Sequence, residues 1–466
     1  MSTIGQSIIH RRETQAMRSI WAVAKNTIKQ ALRMKIAIIF ILLLLVLLPV
    51  LGFSTTGDET LKGRLQTFVS YGLSLTSFLL CVLTIVISIY TVTSDIKYRQ
   101  IYTVITKPIR RYQLLLGKLL GVILLDIGLL IVFSAIIYTF TIYMPKFYKP
   151  TKADLTQVNN EFYTARAALK IPEVDVSAEV QKRYEELERN KRLPDQPREQ
   201  IIAELTKQAQ LAKRAADSGQ ILIWEFDNVK PLTDRMFIRF KYDVTDSPPD
   251  AQVYGRWYAG DPQYVKYHQK PQTEYFDEVH ADSIGTFHEI EFPSNVVPEN
   301  GHLAIAFMNL PYNRTSIMFP PDGLEILYKA GTFTGNFVRA VLLILCRLIF
   351  LACLGTLAAT FVSFPVAILL CLVLFFTASI SGFIIESFDS LSANMNMVYS
   401  YSIKLMVRLL PQFDRFNPTN FLVPGRLLSW SVLAQCAALM VVIKSLILVF
   451  LGFVIFRYRE VARIIV

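Results

Sequence analysis

The residues able to do chemistry in this sequence are few, and their spacing speaks against nucleotide hydrolysis. Gly117 and Lys118 form the pair that ends a phosphate-binding loop, but Tyr112 stands where that loop needs its first glycine. No GxSxG elbow and no dinucleotide fingerprint occurs, so the chain is not expected to be an enzyme. His268, His280, His288 and His302 are scattered without the HxH or HExxH spacing that sets two imidazoles on one ion, so no metal is expected. Asp126, Arg347 and Lys444 fall inside apolar runs, where charge is costly and marks pairing or a pathway. An Asp126–Arg347 pair is expected; the alternative is that Arg347 and Lys444 extend along their stems to an interface.

Those charges sit in runs long enough to cross a bilayer, which takes roughly 20 residues of helix. Lys35 to Phe53, Phe68 to Thr93, Gly117 to Tyr143, Phe337 to Thr360, Pro365 to Ile385 and Val432 to Phe456 qualify, giving six expected spans. A cleaved signal peptide is the competing reading of the first run. A long amphipathic stretch precedes that run, however, and no small-residue cleavage site follows it.

Basic residues crowd the ends of particular runs, and basic loops stay on the cytoplasmic side. Arg11, Arg12, Arg18, Lys25, Lys29, Arg33 and Lys35 precede the first span; Lys97, Arg99, Lys107, Arg110, Arg111 and Lys118 lie between the second and third. Arg457, Arg459 and Arg463 follow the last, so both ends are expected in the cytoplasm and the long polar interval outside. From Thr151 to Gly331, Lys and Arg number 21 against 28 Asp and Glu, whereas the remainder carries an excess of 18 positive charges. The net charge of +11 is therefore membrane electrostatics and does not call for nucleic acid. Cys81, Cys346, Cys353, Cys371 and Cys436 all fall in the apolar runs, so the polar interval must be held by its own core without disulfides.

Before the first span, Met17, Ile20, Trp21, Ala24, Ile28 and Ala31 recur at helical spacing with Arg18, Lys25, Lys29 and Arg33 largely on the other side. Residues 1–34 thus predict an amphipathic helix on the membrane lipid, or a helix packed on a partner. Spans one to three occupy 35–145. Residues 146–220 are rich in Ala, Glu, Gln, Lys and Arg and predict an exposed helical stalk. Residues 221–332 change to short aromatic or alternating runs, ILIWEF, RMFIRFKYDV, QVYGRWYAG, TFHEIEF, HLAIAFMNL and GLEILY, which predict a jelly-roll-like antiparallel β-sandwich. Trp224, Tyr254, Trp257 and Tyr258 form a candidate ligand platform there, against the plainer reading that strand aromatics are core. Residues 333–466 hold spans four to six, with 387–430 read as outer-interface or re-entrant helices. The fold class is an α-helical integral membrane protein with an extracytoplasmic α+β domain inserted between spans three and four.

The segment from Asp95 to Gly121, DIKYRQIYTVITKPIRRYQLLLGKLLG, stands apart from a plain basic turn. Pro108 disfavours helix at Lys107 and permits one to start just after it, predicting a short amphipathic helix, a break, and the start of the third span. Ile101, Tyr102, Val104 and Ile105 give an apolar knob rimmed by Lys97, Tyr98, Arg99, Lys107, Arg110 and Arg111, suited to docking in a groove on a partner. Spacing alone leaves open a solvated turn that only sets topology.

The phrase TVITKPIRRYQLLLGK, from Thr103 to Lys118, resembles the cytoplasmic loop of type-2 ABC transporter permeases, with its Lys/Arg-Pro-x-x-Arg step before a Leu-Gly-Lys start of the third span. The helix ahead of the first span is similar to that family's elbow helix. The resemblance implies a permease subunit in the cytoplasmic membrane of a bacterium, paired with a second permease copy or paralogue and with separate ABC ATPase subunits. ATP and Mg would be bound by those partners, no cofactor by this chain, and the loop 95–118 would be the coupling helix. The large insertion departs from the family's common core, so the substrate does not carry over. An extracytoplasmic partner could dock on it, and the alternative reading is a membrane-anchored binding or force-transmitting protein without solute transport.

Overall fold

A computed structural model describes residues 2–58, 60–97, 110–148, 150–171, 175–190, 198–231, 233–248, 251–267, 276–320, 323–389 and 410–458. The chain forms two compact units, one from residues 1–164 with 332–466 and the other from 165–331.

The first unit opens with helices α1 (Ser2–Leu32), α2 (Lys35–Ser54), α3 (Leu61–Lys97), α4 (Arg111–Tyr148) and α5 (Lys152–Glu161). Extended backbone at Met34 separates α1 from α2. At 37 residues α3 is about 55 Å long at 1.5 Å per residue, well beyond the hydrocarbon thickness of a bilayer. Helices α3 and α4 therefore extend past the expected spans Phe68 to Thr93 and Gly117 to Tyr143 at both ends. Thr151 and Asp154 close a reciprocal capping box on α5.

The second unit contains β1 (Thr164–Lys170, entered from the first unit), α6 (Ser177–Arg189), α7 (Arg198–Ala212), β2 (Ala215–Ala216), β3 (Ile221–Phe226), β4 (Arg235–Phe240), β5 (Asp243–Val244), β6 (Gln252–Gly260), α8 (Pro262–Tyr267), β7 (Phe276–Ser283), β8 (His288–Pro293), β9 (Leu303–Asn309), β10 (Ile317–Met318) and β11 (Leu324–Thr332). One four-stranded sheet runs β1-β11-β4-β8 and another β3-β9-β6-β7, with a small β2-β10-β5 sheet. Alternation along β6 turns Val253, Gly255, Trp257 and Ala259 inward, where they join Met236, Ile238 and Phe240 of β4 and Ile305 and Phe307 of β9 in one buried cluster. Gly255 is required there, since a Cβ would lie 2.1 Å from the Phe307 ring. Helices α6 and α7 share a separate small core of Val180, Tyr184, Ile201, Leu205 and Ala209.

The stretch 146–220, read from composition as helical, is not wholly so, because TARAALK forms β1. Helix propensity is overridden there by pairing with β11 and by Arg166, whose buried guanidinium binds Glu289 of β8 at 2.9 Å. The row continues across the sheet, with Arg239 of β4 opposite Glu289 and Glu325 and bonded to Glu325 at 2.6 Å.

The chain returns to the first unit as α9 (Phe333–Phe361), α10 (Phe364–Ser379), α11 (Ser381–Asp389), α12 (Thr419–Leu422), α13 (Trp430–Cys436), a π-helical stretch Ala437–Ser445, and α14 (Leu446–Tyr458). Among the described residues, five helical segments are long and apolar enough to cross a membrane: Lys35–Ser54, Leu61–Asp95, Arg111–Tyr148, Phe333–Phe361 and Trp430–Tyr458. The fifth expected span is shorter than read, a 16-residue apolar helix, because Ile380 breaks it from α11. This is a multi-pass membrane protein with an additional sheet-rich domain.

Candidate functional site

The loop singled out by its motif is visible through its two rims. Lys97 ends α3 and Arg110 and Arg111 open α4, whereas Tyr98, Arg99, Ile101, Tyr102, Lys107 and Pro108 lie outside the described residues. Between the rims, Lys118 Nζ meets Asp95 Oδ2 at 2.6 Å and donates to the Thr91 carbonyl. Both side chains are nearly inaccessible, at 5% and 11% exposure, so the pair is a buried tie and not a solvated contact. Gln113 adds a second fixture by reaching back from the first turn of α4 to accept the Arg110 N–H at 2.9 Å. Arg111 donates to the carbonyls of Phe456 and Arg457 at 3.4 and 3.1 Å, capping the end of α14.

A third helix locks the same region. Gly117 and Gly121, one turn apart on α4, let α1 approach until a Cβ at Gly117 would lie 2.6 Å from Val23 Cβ and one at Gly121 2.7 Å from the Ala24 carbonyl oxygen. Gln30 of α1 then donates to Ser94 Oγ of α3 at 2.8 Å. Helix α1 consequently has three faces instead of the two its periodicity suggested. Ala24, Thr27 and Ala31 are buried against the bundle, Met17, Trp21 and Leu32 are exposed apolar residues, and Arg18, Lys25, Lys29 and Arg33 are exposed beyond them.

The intramembrane charges do not pair as expected. Asp126 Oδ1 accepts from Thr84 at 2.9 Å, while Arg347 donates to Ser77 Oγ at 3.2 Å and the Phe413 carbonyl at 2.9 Å. Spacing along two helices gives depth but not azimuth, and α4 and α9 turn these side chains to different neighbours. Lys444, in the π-helical stretch, donates to the Leu410 carbonyl at 2.6 Å. Two cations from the middle of apolar helices thus satisfy carbonyls of the irregular segment around residues 410–413. The same segment is fastened further along α9 by Asn336, which binds Leu428 N–H and the Arg426 carbonyl, each at 2.7 Å. Asp414 accepts from Ser381 Oγ and the Gly382 N–H at the start of α11.

The four aromatics read as a candidate platform divide between core and surface. Trp224 and Trp257 are core residues, Trp257 tilted against Phe240 and Phe307 and edge-on to Phe319, because strand alternation points them inward. Tyr254 and Tyr258 occupy the opposite face of β6, where Tyr254 meets the ring of exposed Tyr312 at 5.2 Å. His280 and His288 flank Asp282, His302 contacts Asp227 and Glu225, and His268 lies outside the described residues. The Asp95–Lys118 tie and the glycine seat for α1 were the features missed by sequence reasoning. The Gly117-x-x-x-Gly121 spacing was the available signal.

Residues 21–158 match the family model described as ABC-2 family transporter protein, a stretch that holds residues 21–32 of α1, the Asp95–Lys118 tie and both rims of the loop. The match supports an ABC-2 type permease domain over these residues. No curated protein matches the chain.

Proposed function

We propose that this chain is the permease subunit of an ATP-binding-cassette transporter that moves a substrate across or out of the cytoplasmic membrane, with separate ATPase subunits docking on the loop 98–109. The observation that carries this reading is the frame around the loop. Buried Lys118–Asp95, Gln30–Ser94 and the α1 seat on Gly117 and Gly121 join α1, α3 and α4 where the loop departs. Force applied to a loop anchored this way moves helices and not merely the loop. Arg111 extends the frame to α14, so the last helix moves with it.

In this reading Lys97, Tyr98, Arg99, Ile101, Tyr102, Lys107, Pro108, Arg110 and Arg111 form the coupling surface, both chain ends are cytoplasmic and ATP and Mg belong to the partner subunits. A second permease copy or paralogue completes the pathway. Five long apolar helices among the described residues and the 16-residue α10 support six spans, with 387–430 as the outer-interface or re-entrant segment. The sheet-rich unit is extracytoplasmic and a jelly roll. Its two sheets set the first strand beside the last and β3 beside β9, an order that supports this topology.

Affinity purification of the full chain tests the proposal. It should recover an ABC ATPase, and Ile101→Asp with Tyr102→Asp should abolish that recovery while membrane insertion persists. Recovery unchanged by the double substitution would remove the coupling role of the loop.

A further inference from the structure

A cavity of about 170 Å³ lies in the membrane unit between α3, α9, α10 and the start of α12. Ser74 and Ser77 line it from α3, Ser379 from α10, Thr419 from α12, and Arg347 projects into it from the middle of α9. A guanidinium carries five N–H donors, and two of Arg347's are committed, one to Ser77 and one to the Phe413 carbonyl. No carboxylate lies within ion-pair distance of it among the described residues. Asp414, next in sequence to Phe413, is occupied by Ser381 and the Gly382 N–H. The arrangement is a cation with donors to spare, beside hydroxyls, in a cleft of an apolar helix bundle. That combination favours an oxyanion.

The opening indicates how such an anion arrives. Phe78 lines the cavity and is 42% exposed on the surface of the bundle, and its ring lies 6.2 Å from Phe375 and 6.3 Å from the exposed Phe376. An aromatic lip on an apolar surface admits acyl or isoprenoid chain beside a polar pocket. The volume is enough for one phosphate group with its ester carbon.

We propose that the Arg347 cavity is a binding site for a phosphate-class oxyanion, carried either by a lipid headgroup or by a free phosphate. Bound there, the anion would take the spare guanidinium donors and the Ser74 hydroxyl, whereas the Thr419 hydroxyl already donates to Asn417 Oδ1 at 2.9 Å. The site is separate from the coupling loop, and its test needs no ATPase.

The full chain is placed in nanodiscs of equal phosphatidylglycerol and digalactosyldiacylglycerol, a bilayer lipid without phosphate, released, and analysed for retained lipid by native mass spectrometry. In parallel, thermal unfolding in neutral detergent is followed with and without inorganic phosphate. Wild type should retain phosphatidylglycerol about tenfold over the phosphate-free glycolipid, the preference expected of a charge-assisted contact to phosphate. Arg347→Gln should bring that ratio to parity and Arg347→Lys should keep part of it. Ser77→Asp serves where Arg347→Gln fails to fold, since a carboxylate beside the guanidinium neutralises the site while giving Arg347 a partner. Phosphate-dependent stabilisation of wild type, lost in Ser77→Asp and without lipid preference, would identify a free oxyanion as the ligand. Equal retention of both lipids by wild type together with no response to phosphate would overturn the proposal, as would a preference unchanged in Ser77→Asp.

Discussion

Asp95 and Lys118 form a buried 2.6 Å ion pair that joins the end of α3 to the start of α4, on either side of the loop with the permease-like motif. A hairpin carrying a load needs a fixed base, and Lys118 supplies it twice by also donating to the Thr91 carbonyl of α3. The Leu-Gly-Lys step at residues 116–118 acquires a physical meaning here. Gly117 seats α1, and the lysine after it ties α3 to α4.

Removing one partner of that pair should therefore be more damaging than removing both. Lys118→Met strands a buried carboxylate and should cost about 3–5 kcal/mol, whereas Asp95→Leu with Lys118→Met should recover most of it. Denaturant unfolding of the full chain in micelles checks the order. A double variant as unstable as the single one would mean that the Thr91 carbonyl, and not Asp95, is the essential partner.

The glycine seat predicts a graded response along one helix. Gly121→Ala pushes a methyl to 2.7 Å from the Ala24 carbonyl oxygen and should cost about 1–3 kcal/mol by overpacking. Gly128→Ala, where nothing lies within 4 Å, should be neutral or slightly stabilising. Protease sensitivity of α1 in the two variants is the readout, and only Gly121→Ala should raise it.

Legibility in the sequence followed the kind of information each feature needs. Apolar runs gave the long helices, since membrane crossing depends only on length and composition, and period-two aromatics gave β3, β4, β6, β8, β9 and β11. The sequence failed where a neighbour decides. TARAALK is a strand because β11 and Glu289 wait for it, and nothing within those seven residues says so. Trp257 and Tyr258 are adjacent and equally aromatic, yet alternation buries one and leaves the other on the outer face. At the candidate site, the motif residues were legible, but the tie between Asp95 and Lys118 depends on how two helices 13 residues apart in sequence come together.

The partners found for Asp126 and Arg347 make a charge exchange uninformative as a rescue. Asp126→Arg with Arg347→Asp should fold no better than either single variant, because Arg would face Thr84 and Asp the Phe413 carbonyl. Asp126→Asn should cost no more than about 1 kcal/mol, as an amide can keep the Thr84 bond. Rescue by the exchange would show that the two side chains meet after all.

Two capping aspartates set an acid response outside the membrane helices. Asp154 is held below the ordinary value of 3.8 by the Thr151 hydroxyl and then by its backbone N–H, and Asp175 likewise by Ser177. Lowered carboxyls stabilise fully above the unfolded value and lose that stabilisation as pH falls through the folded one. The first turns of α5 and α6 should therefore fray only below pH 3.8, and Asp154→Asn should remove the α5 step. Carboxyl-carbon NMR titration of selectively labelled protein reads both.

The two aromatic populations of β6 separate core from surface. Trp257 touches Phe240 at 4.5 Å and Phe307 at 4.8 Å between ring centres and is fully buried, so Trp257→Ala opens a cavity and should cost about 3–5 kcal/mol. Tyr254→Ala removes a half-buried ring whose partner Tyr312 is itself 58% exposed, and should cost less than about 1.5 kcal/mol. Unfolding of the full chain followed by tryptophan fluorescence measures the second, and circular dichroism the first, since Trp257 is then absent. If Tyr254→Ala left stability intact but abolished capture of an extracytoplasmic partner from solution, the ligand platform would reduce to Tyr254, Tyr258 and Tyr312. Equal destabilisation by both substitutions would instead make Tyr254 a packing residue, because a recognition surface tolerates truncation that a core does not.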